Sequence, residues 1–553
     1  MWGQSPVELS IRPRMDGQNI SLLEVQLSFQ GRADGETKVR LPNEWGGQNE
    51  LFLGLRNLTA EGAEVLPGDG PSQRILRHTP RASITLKYQV VDDIKGPKYN
   101  GRGNDYRVRI RDGLLFALGD SFVVQPESVS DETDVTANLV FPDGVSWASD
   151  LQHQQMGRRM AFGDLRESVL IAGDIRVVDA GGGARLAIFG GLASRDDTGW
   201  RESFQRVSRA QREYWKAEDE PFLVTIVTSA PAGPGSISLG GTGRSDAFAF
   251  FATNNAEPHK LDQVMAHEMM HTWVPRRIGG LRRTPPEQAD YWLSEGFTNW
   301  AAWRVLVRSG FWKPEDFVRA FNENIKDYDL SPVREAPNTR IVADFWNDRS
   351  SGDLPYRRGM LLATYWDSRV LRATQGKHDF DDVLLHMQKL SKSKPEASAV
   401  QLLLIAMQEV AGVDIQSDLD RYVELGQPVD LMEDTFTENC KIRWVERPIF
   451  HRGFDAEATQ RNGGIISGVV EGCPAWKAGL RNGMQVVARR SGEIGNSQVE
   501  VIYEVKANGV PLILKWLPKG ISKERYRMLQ LSDTLSSRQS VIARLGGTSP
   551  NEK

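Results

Sequence analysis

Two histidines four residues apart, with a glutamate directly after the first, constrain this chain more than any other feature. The segment reads Pro258-His259-Lys260-Leu261-Asp262-Gln263-Val264-Met265-Ala266-His267-Glu268-Met269-Met270-His271-Thr272-Trp273. The spacing has chemical meaning on a helix, where residues i and i+4 share a face one turn apart. His267 and His271 can then reach one ion at roughly 2.0–2.1 Å, the zinc–nitrogen distance. Glu268 is rotated by about 100° from His267. It is therefore placed to hold a water on the open side of the ion and take its proton. Asn255 is the expected cap, Pro258 suits a first helical turn, and Pro275 stops the helix. Val264, Met265, Met269 and Met270 make the setting apolar, which strengthens the electrostatics of a buried ion.

Two histidines at helical spacing are often ordinary core or surface residues, so the third ligand decides. Catalytic zinc keeps three protein ligands and one open position. Glu295 is the candidate, within Tyr291-Trp292-Leu293-Ser294-Glu295-Gly296-Phe297-Thr298-Asn299-Trp300. A glutamate in so aromatic a stretch is unusual unless it is paired or bound to metal.

The chain has 553 residues, more than one core holds, since single cores stop growing near ~250–300 residues. The pattern divides it into three. Residues 1–165 alternate apolar and polar, as in Val7-Glu8-Leu9-Ser10-Ile11, with Gly, Asn and Asp between the runs; a β-sandwich is the simplest architecture. Residues 166–434 begin with strand-like runs (168–171, 187–189, 222–227) and continue with helical patterns at 259–274, 290–308, 355–370 and 380–390. This is an α+β domain whose second half is helical. Residues 435–553 return to β patterning. Residues 463–470 read as a strand, and Asn508-Gly509 lies between two apolar runs, the strongest short-range hairpin signal.

Lys+Arg and Asp+Glu nearly balance, at 68 against 72, so the concentrated basic surface of a nucleic-acid binder is not expected. The two cysteines, Cys440 and Cys473, form no Cys-x-x-Cys pair, which excludes a thiolate zinc site. A disulfide between them and two separate thiols are both open. No apolar run is long enough for a transmembrane helix. Residues 1–27 show no signal peptide, which implies a cytoplasmic protein unless a leader was removed toward the periplasm or outside. Oligomeric state is not legible.

The motif His267-Glu268-Met269-Met270-His271-Thr272-Trp273, then Arg276-Arg277-Ile278 and Trp292-Leu293-Ser294-Glu295-Gly296-Phe297-Thr298, resembles the glycyl aminopeptidase family. These are zinc peptidases related to aminopeptidase N, with a thermolysin-like catalytic domain. The 23 residues between His271 and Glu295 are similar to that family's spacing. The resemblance implies one zinc per chain, a peptide substrate, a β-rich N-terminal domain and a C-terminal PDZ domain. Residues 464–490 are similar to a PDZ core. Gly453 and Phe454 would then form its carboxylate-binding loop, although no helix is foreseen before the terminal hairpin. Leu354-Pro355-Tyr356-Arg357-Arg358-Gly359 looks like the Tyr-x-Lys-Gly segment of the relatives, which gives Tyr356 the role of steadying the oxyanion.

The relatives bind the substrate amine through a glutamate in a Gly-Gly-x-Glu strand. Here the stretch is Leu239-Gly240-Gly241-Thr242-Gly243-Arg244-Ser245-Asp246, with Gly243 at the glutamate's position. Gly240 and Gly241 are expected to line an extended peptide, and Asp246 is the nearest anion in sequence. The expected function is zinc-dependent peptide hydrolysis, aminopeptidase-like, with exo- or endo-action open. The alternative is a non-catalytic, zinc-stabilised scaffold with a PDZ-like binding module.

Overall fold

Alternating side chains in the first ninety residues build paired strands with one dry face. The computed structural model describes residues 7–94, 106–231, 237–282, 286–437, 440–531 and 535–545. Strand Val7–Asp16 pairs antiparallel with Asn19–Gln30, which pairs with Ser83–Val90. Leu9, Ile11, Leu27, Leu86 and Val90 are fully buried on one face of this five-stranded sheet. Val39 and Leu76, from a four-stranded sheet, complete the same core.

The fold divides into two units. The first comprises residues 1–311 and 373–414. Within it a third sheet links the chain on both sides of residue 165, because Leu114–Leu118 pairs with Val169–Gly173. Leu114, Phe116 and Ile171 of that sheet share a core with Ala187, Leu223, Val227 and Phe251 of the next. That next sheet carries the site. Its strand order is Ile175–Gly181, Ala184–Phe189, Phe222–Ser229, Ala247–Thr253, Leu239–Gly243. The central three are parallel, and helix Asp197–Trp215 makes the crossover between the first two of them. A parallel strand pair needs such a crossover. Among the described residues, Leu239–Gly243 has a strand partner on one side only and is the sheet's edge.

Helix Pro258–Met270 packs on that edge strand and on helix Tyr291–Arg308. Trp215 stacks on Trp273 with centroids 6.0 Å apart, and its indole N–H points at Met270 Sδ. Phe297 meets Phe380 edge-on at 5.2 Å. An ion-pair cluster holds the far side: Arg304, with no exposed side-chain surface, and Arg308 converge on Asp381, which also accepts from the Tyr214 hydroxyl at 2.7 Å.

The second unit comprises residues 312–372 and 415–553. Helices Pro314–Asp329 and Arg349–Ala373 form its helical part. Strand Cys440–Phe450 pairs with Lys519–Leu531, and Arg527 makes a buried ion pair with Asp329. A small core of Phe454, Ile466, Ala475, Leu480, Val501, Tyr503, Val505 and Trp516 lies against a three-stranded sheet. The chain is thus α+β with a β-rich N-terminal part, a helical middle and C-terminal β sheets. No described helix is long and apolar enough to cross a membrane.

Several local expectations need correction. Residues 463–470 are not a strand. Gly463, Gly464 and Gly468 take φ of +62°, +88° and +67°, and three such turns within six residues interrupt the extended backbone that a continuous strand needs. The helix expected at 355–370 starts at Arg349, because the Asp348 carboxylate caps the Ser351 N–H at 2.7 Å and the helix runs on through Pro355. Glu257, not Asn255, occupies the cap position of the histidine helix. The hairpin is as expected, with Asn508 and Gly509 at φ +49° and +83° joining Val501–Ala507 to Val510–Trp516. Both cysteines are free thiols, and burial pushes that of Cys440 up to about 12.

Candidate active site

The regular helix ends at Met270, and His271 sits at its C-cap with φ −61° and ψ −15°. That backbone is still helical, so the i, i+4 relationship to His267 survives. The rings stand at 90° to each other with centroids 4.8 Å apart. Helix Tyr291–Arg308 carries Glu295 to the same point. His267 Nε2 lies 3.2 Å from His271 Nε2 and 3.2 Å from Glu295 Oε2, and His271 Nε2 lies 3.4 Å from Glu295 Oε2. Ligands about 2.0–2.1 Å from a tetrahedral ion are about 3.3–3.4 Å from each other, so these three atoms form one face of such a tetrahedron. They are the one candidate metal cluster among the described residues.

The outer nitrogens fix the tautomers. His267 Nδ1 donates to Asn299 Oδ1 at 3.0 Å, and His271 Nδ1 donates to the Val274 carbonyl at 2.9 Å. Each Nε2 therefore turns a lone pair inward, as a metal-bound imidazole must. Ser294 donates to Glu295 Oε1 at 3.1 Å. The residues present fit a zinc ion: two neutral imidazoles, one carboxylate, and a fourth side left open.

Glu268 is buried at 8% exposure. Burial pushes its carboxyl up to about 7, with the Glu295 charge adding to the rise and His267 and the Gly243 N–H opposing it. Met265, Met269 and Met270 are fully buried around it.

The edge strand touches these residues directly. A Cβ on Gly241 would lie 2.6 Å from Glu268 Cγ, and one on Gly243 would lie 2.6 Å from His271 Cβ. A Cβ on Gly240 would meet nothing within 4 Å. The Arg244 N–H bonds the Ala247 carbonyl at 2.8 Å, so even-numbered positions face the sheet and residues 239, 241 and 243 turn their backbone groups outward. The Gly241 carbonyl accepts from the Tyr106 hydroxyl at 3.1 Å.

Asp246 lies just beyond this strand, 7% exposed and ion-paired with Arg158. Arg244 is fully buried, paired with Asp120 and donating to the carbonyls of Glu167 and Arg166. Tyr356 belongs to the second unit, on helix Arg349–Ala373. Two residues on, buried Arg358 donates to the Ala336 carbonyl at 2.8 Å and the Arg334 carbonyl at 3.1 Å. Gly453 takes φ +86°, and its N–H donates to His451 Nδ1 at 3.0 Å; Phe454 is buried in the small C-terminal core.

Sequence reasoning missed Asn299, Tyr106 and Thr298, whose hydroxyl lies 3.3 Å from His271 Nδ1. Asn299 had a signal, being one turn beyond Glu295 on the same helix. Tyr106 had none, because its contact is tertiary.

Residues 260–350 match the model of the M61 glycyl aminopeptidase family. The chain also resembles an aminopeptidase N family protein from Idiomarina loihiensis, at 14% identity over 98% of this chain and 100% of that one, with a TM-score of 0.66. An M1 zinc metallopeptidase from Deinococcus radiodurans is similar over 77% of this chain and 95% of its own, at 16% identity and a TM-score of 0.50. At such identities the structural likeness speaks for the fold.

Proposed function

We propose that this chain is a zinc-dependent peptidase. The observation that carries the proposal is the convergence of His267, His271 and Glu295 at tetrahedral spacing beside a buried Glu268. The family match supports a peptidase and covers both the histidine helix and the helix of Glu295. The shared fold with proteins named as aminopeptidase N family member and zinc metallopeptidase points the same way.

When bound, zinc polarises the scissile carbonyl and acidifies a water. Glu268 takes a proton from the attacking water as its oxygen bonds to the carbonyl carbon. The carbon–nitrogen bond then breaks, and Glu268 passes that proton to the leaving nitrogen. Asn299 and the Val274 carbonyl hold the imidazoles in the ligating tautomer. The outward backbone of residues 239–243 offers a β-edge along which an extended peptide can lie.

A second reading has one observation in its favour: Gly243 stands where the relatives carry the amine-binding glutamate. On it the chain is a zinc-stabilised scaffold whose C-terminal module, PDZ-like in sequence, binds a partner. Removal of zinc by a chelator separates the two. Peptide cleavage that stops on chelation and returns with added zinc supports the peptidase. A metal-free protein that unfolds, with no cleavage in either state, supports the scaffold.

A further inference from the structure

The Gly241 carbonyl points away from its own sheet, and a phenol is already fixed on it. Two outward groups of the edge strand flank Thr242. The carbonyl of Gly241 accepts from the Tyr106 hydroxyl at 3.1 Å, and the N–H of Gly243 donates to Glu268. The phenol and the Glu268 carboxylate thus meet consecutive groups of one edge. Tyr106 is also close enough to Tyr291 to act on its phenol, and Tyr291 stands one turn before Glu295 on the same helix. Tyr106 therefore reaches both the edge strand and the helix of Glu295.

Tyr106 is held from several sides. Its carbonyl accepts from the hydroxyl of buried Ser121. Its ring meets Phe251 edge-on, with centroids 6.3 Å apart, and a Cβ on Gly46 would collide with that ring. A side chain so fixed gives its hydroxyl one direction, and little ordering is needed when a substrate arrives. A carbonyl oxygen has two lone pairs. The phenol takes one at Gly241, and the second can take the N–H that a strand added to this edge brings to an outward carbonyl. The group recognised there is the backbone amide, whatever side chain accompanies it.

Resting on the hydrolytic reading above, we infer that Tyr106 is a positioning residue for the substrate backbone: its hydroxyl fixes the Gly241 carbonyl so that this oxygen receives one peptide N–H of the substrate beside Glu268.

Binding is measured on the zinc-loaded full chain carrying Glu268→Gln, which holds peptide without cutting it. The ligands are one hexapeptide and its ester analogues, each with a single backbone N–H replaced by oxygen. Adding Tyr106→Phe, which keeps the ring and removes the donor, is expected to weaken the all-amide peptide about 3- to 10-fold. One ester analogue, lacking the N–H that faces Gly241, is expected to bind within about twofold the same with and without the hydroxyl. In the active chain Tyr106→Phe is expected to raise KM by the same factor and to leave kcat within about twofold, at equal zinc content. Equal or tighter binding of the all-amide peptide by the Tyr106→Phe chain would overturn the inference. So would a penalty that every ester analogue shares, a fall in kcat with KM kept, a loss of zinc, or zinc-dependent binding of no peptide. A wild type that cuts nothing, beside binding that shows the expected amide-only difference, would refute hydrolysis and leave the role of Tyr106 standing.

Discussion

His267 Nδ1 lies 3.0 Å from Oδ1 of Asn299, one helical turn beyond Glu295. One helix thus carries both Glu295 and the group that orients the His267 ring. Removing such an outer partner costs metal affinity about 10- to 100-fold. Asn299→Ala is expected to weaken zinc by that factor in competition with a fluorescent chelator. Asn299→Asp, which still accepts from the ring, is expected to retain most of the affinity. Equal affinities for the wild type and the alanine variant would contradict the geometry.

The edge strand makes a sharper contrast. Gly240 faces open space, whereas a methyl on Gly243 would press on His271. Gly240→Ala is expected to bind zinc like the wild type. Gly243→Ala is expected to lose zinc on gel filtration and to lose at least about 2 kcal/mol of stability, in the range of overpacked cores. Zinc content measured beside circular dichroism separates the loss of the ion from the loss of the fold.

Asp381 holds Arg304, Arg308 and the Tyr214 hydroxyl in a buried cluster. Although its burial acts the other way, the two arginines hold its carboxyl down at about 2. Its stabilisation is present above the ordinary carboxyl value of 3.8 and is lost as pH falls toward about 2. Asp381→Asn leaves two cations without their anion, and breaking a buried pair costs about 3–5 kcal/mol. Urea midpoints at neutral pH check this, and an unchanged midpoint would sink it.

His153 is 1% exposed, and neither ring nitrogen has a hydrogen-bond partner among the described residues. Burial, then Arg185 and Arg158, push it from 6.5 down to about 3. The unfolded chain takes up this proton below 6.5 and the folded chain does not. Stability therefore falls with pH across that window, by up to about 1.4 kcal/mol per pH unit. Asp150 acts in the opposite sense, because burial raises its carboxyl from 3.8 to about 7 and stability falls as pH rises between them. His153→Leu removes the imidazole's share alone. Between about pH 6.5 and 4.5 the variant is expected to lose roughly 2 kcal/mol less than the wild type. Parallel stability–pH curves would contradict it.

The cluster of His267, His271 and Glu295 was legible because its chemistry is written in helical spacing. His267 and His271 need one helix, and Glu295 declares itself by its aromatic setting. The alternating strands and the Asn508-Gly509 turn were legible for the same reason, that local sequence determines local geometry. What could not be read is tertiary. Gly241 was expected to line a peptide and Gly243 to stand in a glutamate's place, yet helix packing sets them directly against Glu268 and His271. Asp246 looks like a spare anion until Arg158, far off in the chain, meets it. Residues 463–470 have a strand's composition, but three of their glycines turn the backbone left-handed within six residues and break the extended run.

The central claim is that Glu268 acts as the base beside a three-ligand zinc. Glu268→Gln keeps the shape and leaves all three ligands in place. Hydrolysis of a mixed peptide library by zinc-loaded wild type and variant, with zinc content measured on both, tests it most directly. The account predicts equal zinc and a loss of cleavage of about 10²-fold or more in the variant. Equal cleavage by the two proteins at equal zinc would contradict it.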